Sequence, residues 1–225
     1  MALLLLARLV DAQSLGGSLG IATDDVFRGL SESYGQISPQ ADLHAVLGPW
    51  YAGVSAEEVR RGLDERAGPE LIAYAGYQQR LAEDWTGRAT LRHYDYPGDA
   101  LHGRYNYDEL ALSLAWRERL IVTAVASPDT YFRDYDGNYG SGAAWCLELS
   151  GRQPLPLGLS GVAGVGHYDL QRQIGIGYTY WSAGVNRRWG AWVVDLRYVG
   201  TDAIARHHFE DLAGDRAVLS AFWLF

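Results

Sequence analysis

Apolar side chains fall at every second position over stretches of about ten residues, a two-residue rhythm repeated from end to end. Ala41, Leu43, Ala45 and Leu47 alternate with Gln40, Asp42, His44 and Val46, and Trp50, Ala52, Val54 and Ala56 alternate with Tyr51, Gly53, Ser55 and Glu57. The same holds for Leu71 to Tyr77, Leu110 to Trp116, Trp145 to Leu149, Trp181 to Val185 and Trp192 to Tyr198. Successive side chains of a β-strand point to opposite faces, so each stretch predicts a strand with one apolar face and one polar or small face. Beyond the N-terminus no run approaches the ~20 apolar residues of a membrane-spanning helix. Apolar residues make up 48% of the chain, yet mean hydropathy is −0.14, because they are dispersed among polar ones.

A soluble sandwich alternates as well, so the connections decide. Short turns are expected around Gly48 and Pro49, Glu83 to Gly87, Arg117 and Glu118, Gly151 to Leu157, and Arg188 to Gly190. Between them lie longer polar segments: Ser31 to Ser38, Arg60 to Pro69, Gly98 to Arg104, Asp129 to Gly140, Tyr168 to Gly177 and Thr201 to Gly214. Long and short connections alternate strictly, as in outer-membrane barrels with short periplasmic turns and longer extracellular loops. The expected fold is therefore an all-β, transmembrane, antiparallel up-and-down barrel of about 12 strands, with both termini on the periplasmic side. A barrel is also the form in which strands satisfy every backbone polar group in lipid.

The last strand places Ala217, Leu219, Ala221, Trp223 and Phe225 at alternate positions. A terminal Phe225 in that phase resembles the C-terminal signal read by the barrel-assembly machinery. The outward Trp50, Trp116, Trp145, Trp181, Trp192 and Trp223 read as membrane-interface anchors, where one end of the ring system is apolar and the other wet. Residues 1–12 read as a short signal peptide with cleavage after Ala12, since Val10 and Ala12 have the small-residue spacing of a secretory site. Residues 13–225 then form the barrel in the bacterial outer membrane, in contact with its lipid.

All 19 basic residues are Arg and the formal net charge is −8, which excludes the basic face that nucleic acid requires. Cys146 stands alone, so no intramolecular disulfide forms.

Several segments in order along the chain carry a family resemblance. The run Asp25-Val26-Phe27-Arg28-Gly29-Leu30-Ser31-Glu32 is similar to a D-x-x-F-R-G-x-S motif. It is followed by Glu70-Leu71, Tyr74-Ala75-Gly76-Tyr77, Tyr94-Asp95-Tyr96-Pro97-Gly98, Asn106-Tyr107-Asp108-Glu109, Ser127-Pro128-Asp129, Leu147-Glu148 and Leu196 to Asp202. From about Gly17 to Phe225 the chain resembles the Gcw_chp family of proteobacterial outer-membrane proteins, described as porins of the TorF type. The resemblance implies an outer-membrane barrel and a porin role.

If the apolar face meets lipid, Asp42, Glu57, Glu70, Glu109, Glu148 and Asp195 line the lumen with Arg92 and Arg197. Arg28 is expected to join them near the outer rim, with a β-bulge resolving the phase of strand one. Lumen carboxylates favour cations, so the expected function is a narrow, weakly cation-preferring route for small solutes or ions. Gly53, Gly76 and Gly184 at inward positions leave room and favour a pore. The alternative is a closed structural or adhesive barrel whose lumen is filled by Arg, carboxylate and Tyr networks.

Catalysis finds little support: Ser113, Ser160, His93 and His167 are available for an outer-membrane lipid hydrolase, but no spacing pairs a nucleophile with a base. Asp134, Asp136 and Asn138 lack the Gly and distal Glu of a calcium loop. Adjacent His207 and His208 would point to opposite faces of a strand. No metal or cofactor is expected.

Overall fold

The computed structural model describes residues 14–61, 66–97, 105–133 and 139–225. The expected signal peptide falls outside the described residues, as do Asp134, Asp136 and Asn138. The strands are β1 (Ser14–Ala22), β2 (Val26–Phe27), β3 (Leu30–Ser31), β4 (Ser38–Leu47), β5 (Trp50–Arg61), β6 (Arg66–Ala82) and β7 (Trp85–Asp95). They continue with β8 (Tyr107–Trp116), β9 (Leu120–Arg133), β10 (Tyr139–Pro154), β11 (Leu159–Leu170), β12 (Ile176–Trp189), β13 (Trp192–Thr201) and β14 (Arg216–Leu224). Two short helices, α1 (Gln171–Ile174) and α2 (Ala203–Phe209), lie in the long connections.

Twelve strands close into one barrel in which every neighbouring pair is antiparallel, in the order β1, β14, β13 and so on down to β4, which returns to β1. The strands β2 and β3 stay out of the wall and pair only with each other. The alternation read from the sequence becomes an inside and an outside. Leu43, Val54, Leu91, Leu112, Leu147, Val165 and Leu196 are exposed on the outer face, each at least 45% accessible. Apolar side chains exposed all round a protein need a lipid solvent, because water would penalise each by about 1.5–3 kcal/mol relative to burial.

The short turns lie at one end of the barrel and the longer connections at the other. Trp50, Trp85, Trp116, Trp189, Trp192 and Trp223 surround the short-turn end, with Trp50 against Tyr77 at 4.8 Å and Trp223 against Phe225 at 5.1 Å between ring centroids. Trp145 and Trp181 lie instead toward the long-connection end, opposite Asp169 and Gly200 in the neighbouring strands. Phe225 continues the β1–β14 seam by exchanging backbone hydrogen bonds with Gly17, at 3.0 and 3.1 Å.

Four expectations change. Strands β5, β6, β9 and β10 run on through segments read as loops, because polar residues above the membrane still satisfy the ladder and polarity alone does not end a strand. The first long connection begins at Thr23 rather than Ser31, and no bulge carries Arg28: the chain leaves the wall after Ala22 and rejoins it at Ser38. His207 and His208 belong to helix α2, whose N-terminus is capped by Asp202 accepting from the Ala205 amide at 3.0 Å. Lastly, the space beside Gly53 and Gly76 is taken by tyrosines. A Cβ on Gly53 would stand 2.5 Å from the Tyr74 hydroxyl, and one on Gly76 2.3 Å from the Tyr51 ring. These glycines seat aromatic rings across the strand pair and do not widen a pore.

Replacing Gly76 with Val is therefore expected to destabilise the barrel by about 1–3 kcal/mol, since the Tyr51 ring must leave its seat. Gly68→Val, where an added Cβ meets open space, is the control and is expected to be near neutral. Urea unfolding in lipid vesicles compares the two; equal midpoints would refute the ring-seat reading.

Candidate functional site: a hairpin inside the barrel

The segment from Thr23 to Ile37 folds into the lumen at the long-connection end. Its local chemistry explains the turn. Arg28 and Gly29 separate β2 from β3 and have φ of 48° and 84°, the doubly left-handed combination of a tight two-residue hairpin. Asp24, the residue before the Asp25 to Glu32 run, ties the base of the hairpin. One of its oxygens accepts from the Ser31 hydroxyl at 2.6 Å, the Ser33 hydroxyl at 2.7 Å and the Gly35 amide at 3.2 Å. Its other oxygen accepts from the Arg216 guanidinium at 2.7 Å, at the start of β14.

The tip crosses the lumen. Arg28 donates to Glu109 at 2.7 Å, and both side chains are almost fully buried. The guanidinium carbon of Arg28 also sits 4.4 Å from the ring centroids of Phe27 and Tyr168. Glu109 further accepts from the Tyr94 hydroxyl at 3.3 Å and has Arg92 at 3.7 Å. A buried carboxylate is tolerated only with such compensation, because breaking a buried pair costs about 3–5 kcal/mol.

Gly29 has a further reason to be glycine. A Cβ there would lie 2.6 Å from the Tyr180 Cβ and 2.7 Å from the Thr201 methyl, in addition to the backbone strain. Leu30 enters an apolar cluster with Val125, Cys146, Leu170, Tyr178 and Phe209. On the opposite side the Glu32 carbonyl accepts from the Arg60 amide at 2.7 Å, and Gln40 donates to Asp25 at 3.4 Å. The hairpin thus touches the wall on every side. Beside it remains a cavity of about 30 Å³, lined by Phe27, Leu30, Glu32, Tyr107, Thr130, Tyr131, Tyr168 and Tyr178.

The other inward residues read from the sequence occupy several depths. Asp42 bonds His44 at 2.7 Å and the Tyr74 hydroxyl at 2.6 Å. Glu57 and Glu70 are direct cross-strand partners close to the hairpin base, with Gln40 3.5 Å from Glu57. Glu148 accepts from the Tyr180 hydroxyl. Asp195 receives Arg197 at 3.2 Å and Asn186 at 3.4 Å. The structure gathers Arg28, Arg92 and Glu109 into one cluster and leaves Asp42, Glu148 and Asp195 in separate local pairs.

The residues considered for hydrolysis do not come together. Ser113 faces inward and bonds Thr123 at 2.9 Å, whereas His93 faces outward and bonds Asp108 at 2.8 Å. Ser160 bonds Arg152 at 3.1 Å, and His167 bonds Thr179 at 3.2 Å.

Sequence reasoning missed Asp24, Arg216 and the tyrosine layer of Tyr94, Tyr107, Tyr168, Tyr178 and Tyr180. The layer had a legible signal, since Tyr178 and Tyr180 share the inward phase of Ser182 and Gly184. The Asp24 to Arg216 contact had none, because 192 positions separate the two.

The barrel fold has counterparts among solved structures. The KdgM porin in complex with disordered oligogalacturonate aligns with a TM-score of 0.57 at 8% identity, covering 95% of this chain and 99% of that one. The COG4313 outer membrane channel from Pseudomonas putida F1 aligns with a TM-score of 0.52 at 16% identity, covering 97% of this chain and 96% of that one. No curated protein matches the sequence. The profile of the Gcw_chp family, bacterial proteins of unknown function, matches residues 11–225, and the chain belongs to that family as an outer-membrane β-barrel of porin-like fold.

Proposed function

We propose that the protein is a narrow diffusion channel for small solutes or ions whose lumen is occluded at the long-connection end by the hairpin of residues 23–37. The observation that carries this reading is the contrast between the two halves of the lumen. Toward the short turns many inward side chains are small, as with Ser113, Thr123, Ser150, Gly164 and Ser182, while the rings of Tyr51, Tyr74 and Phe222 lie against the wall over Gly76, Gly53 and Gly20. Toward the long connections the hairpin and the tyrosine layer fill the cross-section. Passage then requires the hairpin to move aside.

A weak cation preference follows from the carboxylates near the hairpin. Among the described residues around the hairpin, Asp24, Asp25, Glu32, Glu57, Glu70 and Glu109 outnumber Arg28, Arg60, Arg92 and Arg216, so the occluded section is acidic on balance. An acidic section of this kind disfavours a polyanion such as the oligogalacturonate of the KdgM porin.

Conductance and reversal potential in a planar bilayer under a salt gradient test the proposal, with folding confirmed by heat-modifiable gel migration. Rare, small, cation-selective steps are expected, and Glu57→Gln with Glu70→Gln is expected to move the reversal potential toward zero. Anion-selective steps would overturn the preference. The second reading, a closed structural barrel, is favoured by the ties of the hairpin to all sides of the wall; it wins if folded protein never conducts, even with the hairpin removed.

A further inference from the structure

Six arginines lie at the rim of the short-turn end: Arg80, Arg117, Arg119, Arg152, Arg187 and Arg188. They form an arc along the wall from β6 to β12, against three carboxylates there, Glu83, Asp84 and Glu118. Among the described residues, Arg117 alone in this arc is ion-paired, to Asp84 at 3.0 Å. Arg80 and Arg188 donate to carbonyl oxygens of their own turns, and Arg152 to the uncharged Ser160, so their charge stays unneutralised. At the other end of the barrel Arg28, Arg206 and Arg216 each hold a carboxylate.

The arc is built into the aromatic ring of the same end. Arg117 lies with its guanidinium carbon 4.9 Å from the Trp116 ring centroid, and Arg187 4.7 Å from that of Trp189. An outward Trp marks the depth of the lipid headgroups, and stacking on it holds the guanidinium at that depth. A guanidinium there meets phosphate oxygens in the bidentate geometry that suits it.

We infer that this arc is a docking surface for anionic phospholipid headgroups of the leaflet facing the short turns. The inference does not depend on conduction. It also runs against the charge of the whole chain: a net charge of −8 repels an anionic bilayer, so any preference for one arises locally. The acidic end lies about 30 Å away across the hydrocarbon core. Screening over about 8 Å at physiological salt keeps it from cancelling the arc.

The test compares the folded protein in vesicles of phosphatidylcholine alone and in an equal mixture with phosphatidylglycerol. The folding equilibrium is expected to favour the anionic vesicles, with the gain shrinking as salt is added. The variant Arg80→Gln, Arg117→Gln, Arg187→Gln, Arg188→Gln is expected to lose about fivefold of that gain per arginine, the equivalent of ~1 kcal/mol for a basic residue at an anionic surface. Arg172→Gln, at the opposite end in α1, is the control that keeps it. Equal stability of the unaltered protein in both vesicles would overturn the inference, and so would a fourfold variant that keeps the full preference. A variant unable to fold in either lipid is replaced by the single changes Arg117→Gln and Arg187→Gln, read the same way.

Discussion

Excising the hairpin is expected to raise the conductance of the reconstituted barrel several-fold, with steps that no longer flicker shut. The excision is geometrically simple. Ala22 and Ser38 are direct cross-strand partners in β1 and β4, so an Asn-Gly turn in place of residues 23–37 joins them without disturbing the wall. What is lost is the tip that spans the lumen, including Arg28 on Glu109 and Leu30 in the apolar cluster. Glu109 keeps Arg92 and Tyr94 as partners, and it becomes solvated once the plug is gone, so the buried-charge penalty is relieved rather than exposed. A gentler variant, Gly29→Val, keeps the chain length but forces the tip off Tyr180 and Thr201, and is expected to show an intermediate conductance. If both variants fold, as judged by gel migration, and neither conducts more than the unaltered protein, the hairpin is not what closes the lumen.

The second large effect concerns Cys146, the only cysteine of the chain. It faces the lumen, is 1% exposed and lies 3.2 Å from the Tyr180 hydroxyl, within the cluster that Leu30 completes. A membrane-impermeant thiol reagent therefore reaches it only when the hairpin leaves. Unseating the tip exposes the Leu30 side chain and breaks a charged hydrogen bond. Together these cost roughly 3–4 kcal/mol, a slowing of labelling by about two to three orders of magnitude relative to the excised variant. Mass spectrometry of time-quenched samples gives both rates. Similar rates in the two proteins would mean that the seated hairpin is not the dominant state.

How far the sequence carried this picture depends on the range of the interaction. Alternation is a local property, and it was enough to assign β4, β5, β8, β10 and β13 to the wall and to sort Leu43 from Asp42 or Leu147 from Glu148. Turn chemistry is local as well, and Gly48 with Pro49 and Arg117 with Glu118 fell where they were read. The hairpin was not legible, because Val26, Phe27 and Leu30 look like a continuation of β1 until their partners are known. Those partners, Glu109, Tyr168, Tyr180, Thr201 and Arg216, are spread over most of the chain. For the same reason the glycines at 53 and 76 read as empty space, since the rings that occupy it belong to the neighbouring strands.

The tie between Asp24 and Arg216 bears on how the molecule assembles. It joins the segment after the first wall strand to the start of the last, and Gly29 rests on Thr201 at the end of β13. Neither contact exists until the final hairpin of the wall has arrived. Seating the tip and shutting the seam are thus one cooperative event, in which each lowers the free energy of the other. With partners so distant in the chain, the loop-closure entropy falls due at that last step. The rate at which the barrel seals is then set in part by residues that never touch lipid.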